Sequence, residues 1–369
     1  MSMRTIQAVA MAERAEPRAE PAVTSHRNEK PVPTVLKHPA TGVEARVYVG
    51  DCREVIPEIE ECRRGVVDLV FADPPFNWNR PYDQWDDAMA RGDYLHFTEQ
   101  WLSECHRALR PGGAMWVNIP DDTAAEIVVY LKRLGMEMVN WCVWHYRFGQ
   151  NTVRRFINSK VHALYFVKPG GAGHGEDTQG RTWNPGEVLE LSDRATTYFD
   201  PRTLSKKDGM PPGQRVPMDV WYGPYWGRIQ GNNKERRGNH DNQLPEVYLE
   251  RVIRACSNKG DLVLDPFLGS GTTGLAAHWL ERRFIGCEYS AANAASAIER
   301  IKSEPLRIGK LQPAGTAIHA PRGVKESRRQ FDGVLGPARA EKPAKVAIKK
   351  RVKRATAGAG AIRRKRSDV

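Results

Sequence analysis

The chain predicts a single α/β sheet protein, and three observations carry that expectation. Apolar strand-like runs alternate with stretches of helical spacing, as layers of helix on a mostly parallel sheet require. One of the runs, VVDLVFAD (66–73), is apolar almost throughout, as in a strand covered on both faces. A glycine-rich turn, Gly269-x-Gly271-x-x-Gly274, lies between a strand pattern and a helix pattern.

Taken in order, ARVYVGD (45–51) reads as a strand and VVDLVFAD as the next. YLHFTEQWLSECHRAL (94–109) is helical, with Leu95, Trp101, Leu102, Cys105 and Leu109 on one broad face, and it stops at RPGG. AMWVNI (114–119) is a strand, DDTAAEIVVYLKRLG (121–135) a helix, and VNWCVWHYR (139–147) and VHALYFVK (161–168) are further strands. Residues 169–235 lose this rhythm and are rich in Gly, Pro, Arg, Trp and Tyr; a segment this long inside a compact chain is usually functional or disordered. Regular patterns return with a helix at 245–258, a strand at 261–267, a helix at 272–282, a strand at 283–289 and a helix at 291–304. Residues 1–35, without apolar periodicity, and the tail from 309 to 369 are expected to be disordered.

The bulk numbers narrow the function. The 369 residues suffice for a large buried core, and no apolar run approaches the ~18 residues that span a bilayer. No secretory or transit signal is evident, so a cytoplasmic setting is expected. Six scattered cysteines without a CxxC pair argue for reduced thiols and no metal site. The net charge of +12 is a property of the tail: residues 321–369 hold 16 Lys/Arg and 4 Asp/Glu, leaving 40 of each sign elsewhere. Such a polycation adds nonspecific affinity for nucleic acid by counterion release.

Two short motifs carry chemistry. In VLDPFLGSGTTGLAA (263–277) a glycine turn opens a helix N-terminus able to hold an anion, and Glu288 ends the next strand 17 positions after Gly271. That is near the ~20-residue offset of a carboxylate that binds ribose hydroxyls. A nucleoside-containing cofactor is indicated, and NAD and S-adenosylmethionine both fit; a loop kept only for packing is the bland alternative. The second motif is Asp73-Pro74-Pro75-Phe76, directly after a strand. Paired prolines fix the backbone and give no N–H donors, so a carboxylate and an aromatic ring are held at fixed separation. Alkylating an aromatic exocyclic amine is hard because its lone pair is delocalised. The Asp73 carboxylate and the Pro74 carbonyl can accept both N–H groups and stabilise a more tetrahedral nitrogen. Phe76 offers a face for a base, and a duplex base must first leave its stack.

These residues resemble the amino-methylating DNA methyltransferases, which make N6-methyladenine or N4-methylcytosine. The family's catalytic signature is [D/N/S]PP[Y/F/W], here DPPF, and its cofactor loop is matched by DPFLGSGTT. GDCREV (50–55) and QLPEVYLERVIRACSNKGD resemble further landmarks, and the similarity runs from Arg46 to Glu304. The order, catalytic motif before cofactor loop, matches the circularly permuted β class.

The resemblance implies a Rossmann-like fold with a mostly parallel seven-stranded sheet and one antiparallel strand. Residues 36–168 would form the catalytic half, 169–235 a target-recognition insert, and 236–308 the half that binds S-adenosylmethionine. Cofactor contacts would come from Asp265, Phe267, Gly269, Ser270, Gly271, Thr272 and Glu288, with Asp51 and His240 as further candidates. Arg154, Arg155 and Arg228 are candidates for contacting double-stranded DNA; for the aromatic residues of the insert, DNA contact and packing of an irregular subdomain are equal alternatives. Asp73 is typical of the adenine branch, and Phe76 replaces the commoner tyrosine. A companion restriction endonuclease, and a monomer or homodimer, are expected. The rival readings are an N4-cytosine or RNA enzyme of the same chemistry, a nicotinamide-dependent oxidoreductase that leaves DPPF unexplained, and a non-catalytic DNA-binding protein driven by its tail.

Overall fold

The computed structural model describes residues 30–80, 84–146, 149, 151–170, 180–204, 211–223, 225–229, 233–237, 242–303 and 305–307. The N-terminal 29 residues, His240 and the basic tail lie outside the described residues.

Strand β1 (Thr34–Lys37) pairs antiparallel with β2 (Glu44–Val49). Two short helices, α1 (Cys52–Val55) and α2 (Glu60–Arg63), lead to β3 (Val67–Ala72). Helix α3 (Arg91–Ala108) buries Tyr94, Phe97, Thr98, Trp101, Leu102, Cys105 and Ala108, the i, i+3, i+4, i+7 set of one helical stripe. It starts three residues before the expected helix and passes directly into β4 (Leu109–Ile119), which absorbs RPGG. Gly112 takes φ +77° there, and the register against β3 shifts between Val67 and Leu69. Helix α4 (Asp121–Arg133) follows, then β5 (Glu137–His145) and β6 (Lys160–Val167).

The irregular stretch contains α5 (Asp193–Thr196), a two-stranded ribbon of β7 (Glu190–Leu191) and β8 (Gln214–Arg215), and β9 (Val220–Trp221). It is anchored to the sheet: β9 pairs parallel with β5, and Trp221 and Trp226 are buried in the core. Asn184 also caps the end of α6 (Glu246–Cys256), donating from Nδ2 to the carbonyls of Arg254 and Ser257 at 3.1 and 3.0 Å. The aromatic residues of the insert therefore divide, with Trp221 and Trp226 inside and Tyr198 and Tyr225 outside. After α6 come β10 (Leu262–Asp265), α7 (Thr272–Trp279), β11 (Arg283–Glu288) and α8 (Ala291–Ser303).

The main sheet has nine strands in the order β1-β2-β11-β10-β3-β4-β6-β5-β9, not seven. Its middle seven, β2 to β5 in that order, carry the expected arrangement with β6 the antiparallel member. The additions are the edges: β1, which also runs antiparallel, and the two-residue β9. Both are too short to leave a period in the sequence, and β1 is largely exposed besides. Because β1 begins at Thr34, the expected disordered segment to residue 35 overlaps a strand.

One core lies between the sheet and α1–α4, the other between the sheet and α6–α8. Strand β3 explains its own apolar run: Leu69 and Phe71 enter the second core while Val70 and Ala72 enter the first. All six cysteines are free and buried. Among the described residues no helix is long and apolar enough to cross a membrane, and no His/Cys/Asp/Glu group is gathered to hold a metal ion.

Candidate active site

From β3 the chain crosses by α3 to β4 on one side; from β10 it crosses by α7 to β11 on the other. The two strands are parallel neighbours, so a crevice opens between their carboxyl ends, where open α/β sheets bind ligands. Asp73 directly follows β3 and Asp265 is the last residue of β10. The sequence's two motifs, 192 positions apart at these aspartates (265 − 73), meet at that crevice.

Around DPPF each polar atom has a distinct setting. Asp73 Oδ1 accepts a 2.6 Å hydrogen bond from Asn118 Nδ2, and Asn118 Oδ1 in turn accepts from Tyr248 Oη at 3.3 Å. Asn118 and Tyr248 are both buried, so the carboxylate is anchored through one oxygen from two other elements, β4 and α6. Tyr94 Oη donates to the Pro75 carbonyl at 2.7 Å. No described residue hydrogen-bonds to the Pro74 carbonyl. Phe76 is only 8% exposed and meets Trp78 edge-on at 5.2 Å between centroids.

The loop that follows closes on a buried acid that sequence reasoning missed. Asp87 accepts from the backbone N–H groups of Asn77, Trp78 and Arg80, each at 2.9 Å, and its carbonyl accepts from Asn79 N at 2.7 Å. Asn77 and Asn79 have φ +57° and +55°, left-handed values that asparagine tolerates. Asn77 also exchanges two side-chain bonds with the Met89 backbone, at 2.9 and 2.8 Å. The signal lay in FNWN, where two asparagines flank one residue after a rigid Pro-Pro.

Burial dominates the electrostatics. Desolvation pushes the Asp73 carboxyl up to about 7, against the opposing Asn118 hydrogen bond; Asp265 adds to the rise and the Arg228 charge reduces it. Desolvation likewise pushes Asp265 up to about 7, opposed by hydrogen bonds from Thr273 and the Phe267 N–H, and Glu288 adds to the rise. Glu288 itself is raised by burial. Arg228 stacks 4.8 Å over the Tyr146 ring and donates to Asn242 Oδ1 at 3.4 Å. The crevice is thus a site where acids are crowded and a cation is welcome.

The glycine loop is shaped by its own acids. Asp265 Oδ1 accepts from Phe267 N at 2.9 Å; Glu288 accepts from Gly269 N at 2.8 Å and Ser290 N at 3.1 Å. Gly269 and Gly271 have φ +49° and +78°. A Cβ on Gly271 would lie 2.9 Å from Ala297 Cβ, so α7 packs against α8 only with glycine there. Ser270 and Thr272 turn inward: their hydroxyls pair at 3.1 Å, Thr272 Oγ1 donates to the Leu244 carbonyl at 3.3 Å, and Arg300 Nη1 donates to Thr272 Oγ1 at 2.9 Å. What Thr272 can offer to a ligand is its amide, at the start of α7. Phe267 packs edge-on against Trp101 and Phe97, at 5.2 and 6.2 Å. Trp85 extends that aromatic wall to Tyr289. Asp51 caps α1 and grips Arg53 through both oxygens, next to Gly50, whose N–H donates to the Glu288 carbonyl at 2.9 Å.

Asp73, Pro74, Pro75, Phe76, Asp265, Phe267, Gly269, Ser270, Gly271, Thr272, Glu288 and Asp51 are therefore gathered at one end of the sheet, and the Arg228 charge reaches Asp73. Arg154 and Arg155 sit apart, exposed in the β5–β6 connection.

A family model described as DNA methylase, of the N6/N4 type, matches residues 67–299. The chain is 30% identical over 257 residues to the type II methyltransferase M.HpaI of Haemophilus parainfluenzae, covering 69% of this chain and 74% of that one. It is 28% identical to the DNA adenine methyltransferase YhdJ of Escherichia coli strain K12, covering 71% and 86%. Its fold is similar to the solved PvuII DNA methyltransferase, a cytosine-N4-specific enzyme, with TM-score 0.52 at 16% identity over 72% of this chain and 88% of that one. The family match spans well over half of the sequence and includes both motifs that meet at the crevice. The chain belongs to the DNA methyltransferases that modify the N6 of adenine or the N4 of cytosine.

Proposed function

We propose that the protein transfers a methyl group from S-adenosylmethionine to the 6-amino group of adenine in double-stranded DNA. The observation that carries the reading is Asp73, fixed through Oδ1 by Asn118 and followed by a Pro74 carbonyl that no described residue hydrogen-bonds, which leaves Oδ2 and that carbonyl as two acceptors. One exocyclic amine with two N–H groups matches two such acceptors.

The cofactor fits the residues present. Glu288 and Asp265 end adjacent strands around a glycine loop, and the crowded carboxyls favour a positively charged ligand. Asp265, Phe267, Gly269, Ser270, Gly271, Thr272, Glu288 and Asp51 would hold it. When bound, it supplies a methyl group on a positively charged sulfur, open to direct displacement.

Asp73 and Pro74 would orient the amine and draw its N–H bonds, localising the lone pair on the nitrogen that receives the methyl group. The Asp73 carboxylate stabilises the positive charge that develops on nitrogen. It can also take up the proton released afterwards. Phe76 and Trp78 form a wall for the base, and Arg228, close enough to bias Asp73, lies where DNA phosphate or the base edge would approach.

Adenine is favoured by the aspartate at the first position of DPPF and by the likeness to an adenine enzyme. The likeness to type II methyltransferases supports a companion restriction endonuclease. The test is methyl transfer from labelled S-adenosylmethionine to unmodified duplex DNA, with nucleoside analysis and Asp73→Ala as control. Label in N6-methyladenine that disappears in the variant is expected. Label in N4-methylcytosine would overturn the base assignment and keep the mechanism; none in DNA would overturn both.

A further inference from the structure

The β5–β6 connection carries the least protected apolar side chains of the described surface. Val153 is fully exposed, Phe156 is 97% exposed, and Ile157 is also exposed. Soluble proteins seldom leave a whole phenyl ring in water beside two further aliphatic residues without a use. Between them stand Arg154 and Arg155, whose guanidinium groups have no partner among the described residues. The neck of the loop, by contrast, is tight. Tyr146 N donates to the Ser159 carbonyl at 3.0 Å, Tyr146 Oη reaches the Asn158 carbonyl at 3.4 Å, and Gly149 lies so close to Asn158 that a Cβ would be 2.2 Å from its carbonyl oxygen. The Tyr146 ring at that neck is the one beneath Arg228.

The topology fixes where the loop stands. β6 is antiparallel to both β4 and β5, and β4 is parallel to β3, so β5 ends on the same side of the sheet as β3. The loop therefore rises beside the crevice that holds Asp73, two to three strand spacings away, or about 10–15 Å. That separation is comparable with the ~12 Å width of a major groove.

We infer that residues 153–157 form a wedge that enters duplex DNA beside the target base, with Val153 and Phe156 between bases and Arg154 and Arg155 on the flanking phosphates. This rests on the DNA-methylation reading above. A base reaching Asp73 must leave its stack, and apolar side chains inserted between base steps are a recurrent way to offset the lost stacking. The alternation of apolar and cationic residues suits the alternation of stacked bases and charged backbone.

The experiment uses the full chain and two synthetic duplexes around the site mapped by the methylation assay, one fully paired and one mismatched at the target base. Phe156→Ala, being an exposed change, should leave the fold intact. Methylation of the paired duplex should fall about tenfold or more, and the loss should shrink to about twofold on the mismatched duplex, where the base is already loosened. The double variant Arg154→Ala/Arg155→Ala should reduce the slope of log affinity against log salt by up to about 2. Normal wild-type methylation with equal activity of Phe156→Ala on paired DNA, or equal losses on both duplexes, would overturn the wedge alone. No label with the wild-type protein would overturn the wedge together with the reading beneath it.

Discussion

Replacing Asp73 with asparagine should abolish activity and stabilise the protein, but only above a defined pH. Asparagine keeps an oxygen for Asn118 Nδ2 and removes the buried charge. The native carboxyl is raised from 3.8 to about 7, chiefly by desolvation. Between those values the native protein holds a proton that the unfolded chain has lost, so native stability falls as pH rises through this window. Below pH 4 the carboxyl is protonated in both states and its penalty is absent; above pH 7 the penalty is complete. A rise from 3.8 to about 7 corresponds to about 4 kcal/mol, and discounting for the partly open setting of Asp73 leaves roughly 2–4 kcal/mol. Removing this charge also relieves Asp265, which acts in the same direction. Urea unfolding of both proteins at pH 4 and pH 8 measures the effect. The variant should gain stability at pH 8 and little at pH 4, with methyl transfer down by ~100-fold or more. A variant less stable than wild type at pH 8, or equally favoured at both pH values, would refute the assignment of burial as the dominant force on Asp73.

Asn118→Ala removes the hydrogen bond that holds Asp73 down, so the acid limb of the pH–rate profile should move to higher pH while kcat falls by roughly 10–100-fold and cofactor affinity is nearly unchanged. Binding of S-adenosylmethionine places positive charge among carboxyls raised to about 7, so it should release protons near pH 6.5 and few above pH 8.5, which calorimetry in buffers of different ionisation enthalpy would read. Asp87→Ala strips the acceptors from three backbone N–H groups and should cost about 2–4 kcal/mol in denaturant unfolding, with loss of activity as the loop after Phe76 slackens. Gly271→Ala meets both φ +78° and the Ala297 contact; a loss of about 1–3 kcal/mol in thermal unfolding is expected.

What the sequence revealed depended on how far apart the cooperating residues are along the chain. DPPF and DPFLGSGTT are contiguous, so their stiffness, glycines and flanking strands could be read locally. The apolar run of β3 was equally legible, but the face of α3 only in part: Trp101, Leu102 and Cys105 are buried as expected, whereas Leu95 is half-buried, Leu109 opens β4, and Tyr94, Phe97 and Thr98 complete the face. Asn118 and Tyr248 were not legible: they lie 45 and 175 positions from Asp73 (118 − 73; 248 − 73) inside ordinary strand and helix patterns, and only the tertiary fold aims them at the carboxylate. Asp87 looked like one of several acids in a polar loop until its three donors folded around it. Trp221 and Trp226 stayed open between packing and recognition, because composition cannot tell an aromatic that packs from one that waits for a ligand; the structure buries both.

The place of β10 and β11 in the sheet has a consequence for the making of the protein. Both are late in the chain, yet they lie between β2 and β3, which are early. As the chain leaves the ribosome, β2 and β3 must wait two strand widths apart, each with an open edge, until residues beyond 288 emerge. Leu262 N then donates to Asp68 Oδ2, 194 positions back, at the seam. Closure pairs residues far apart in the chain, and pairing of that range slows folding and leaves open edges exposed for longer.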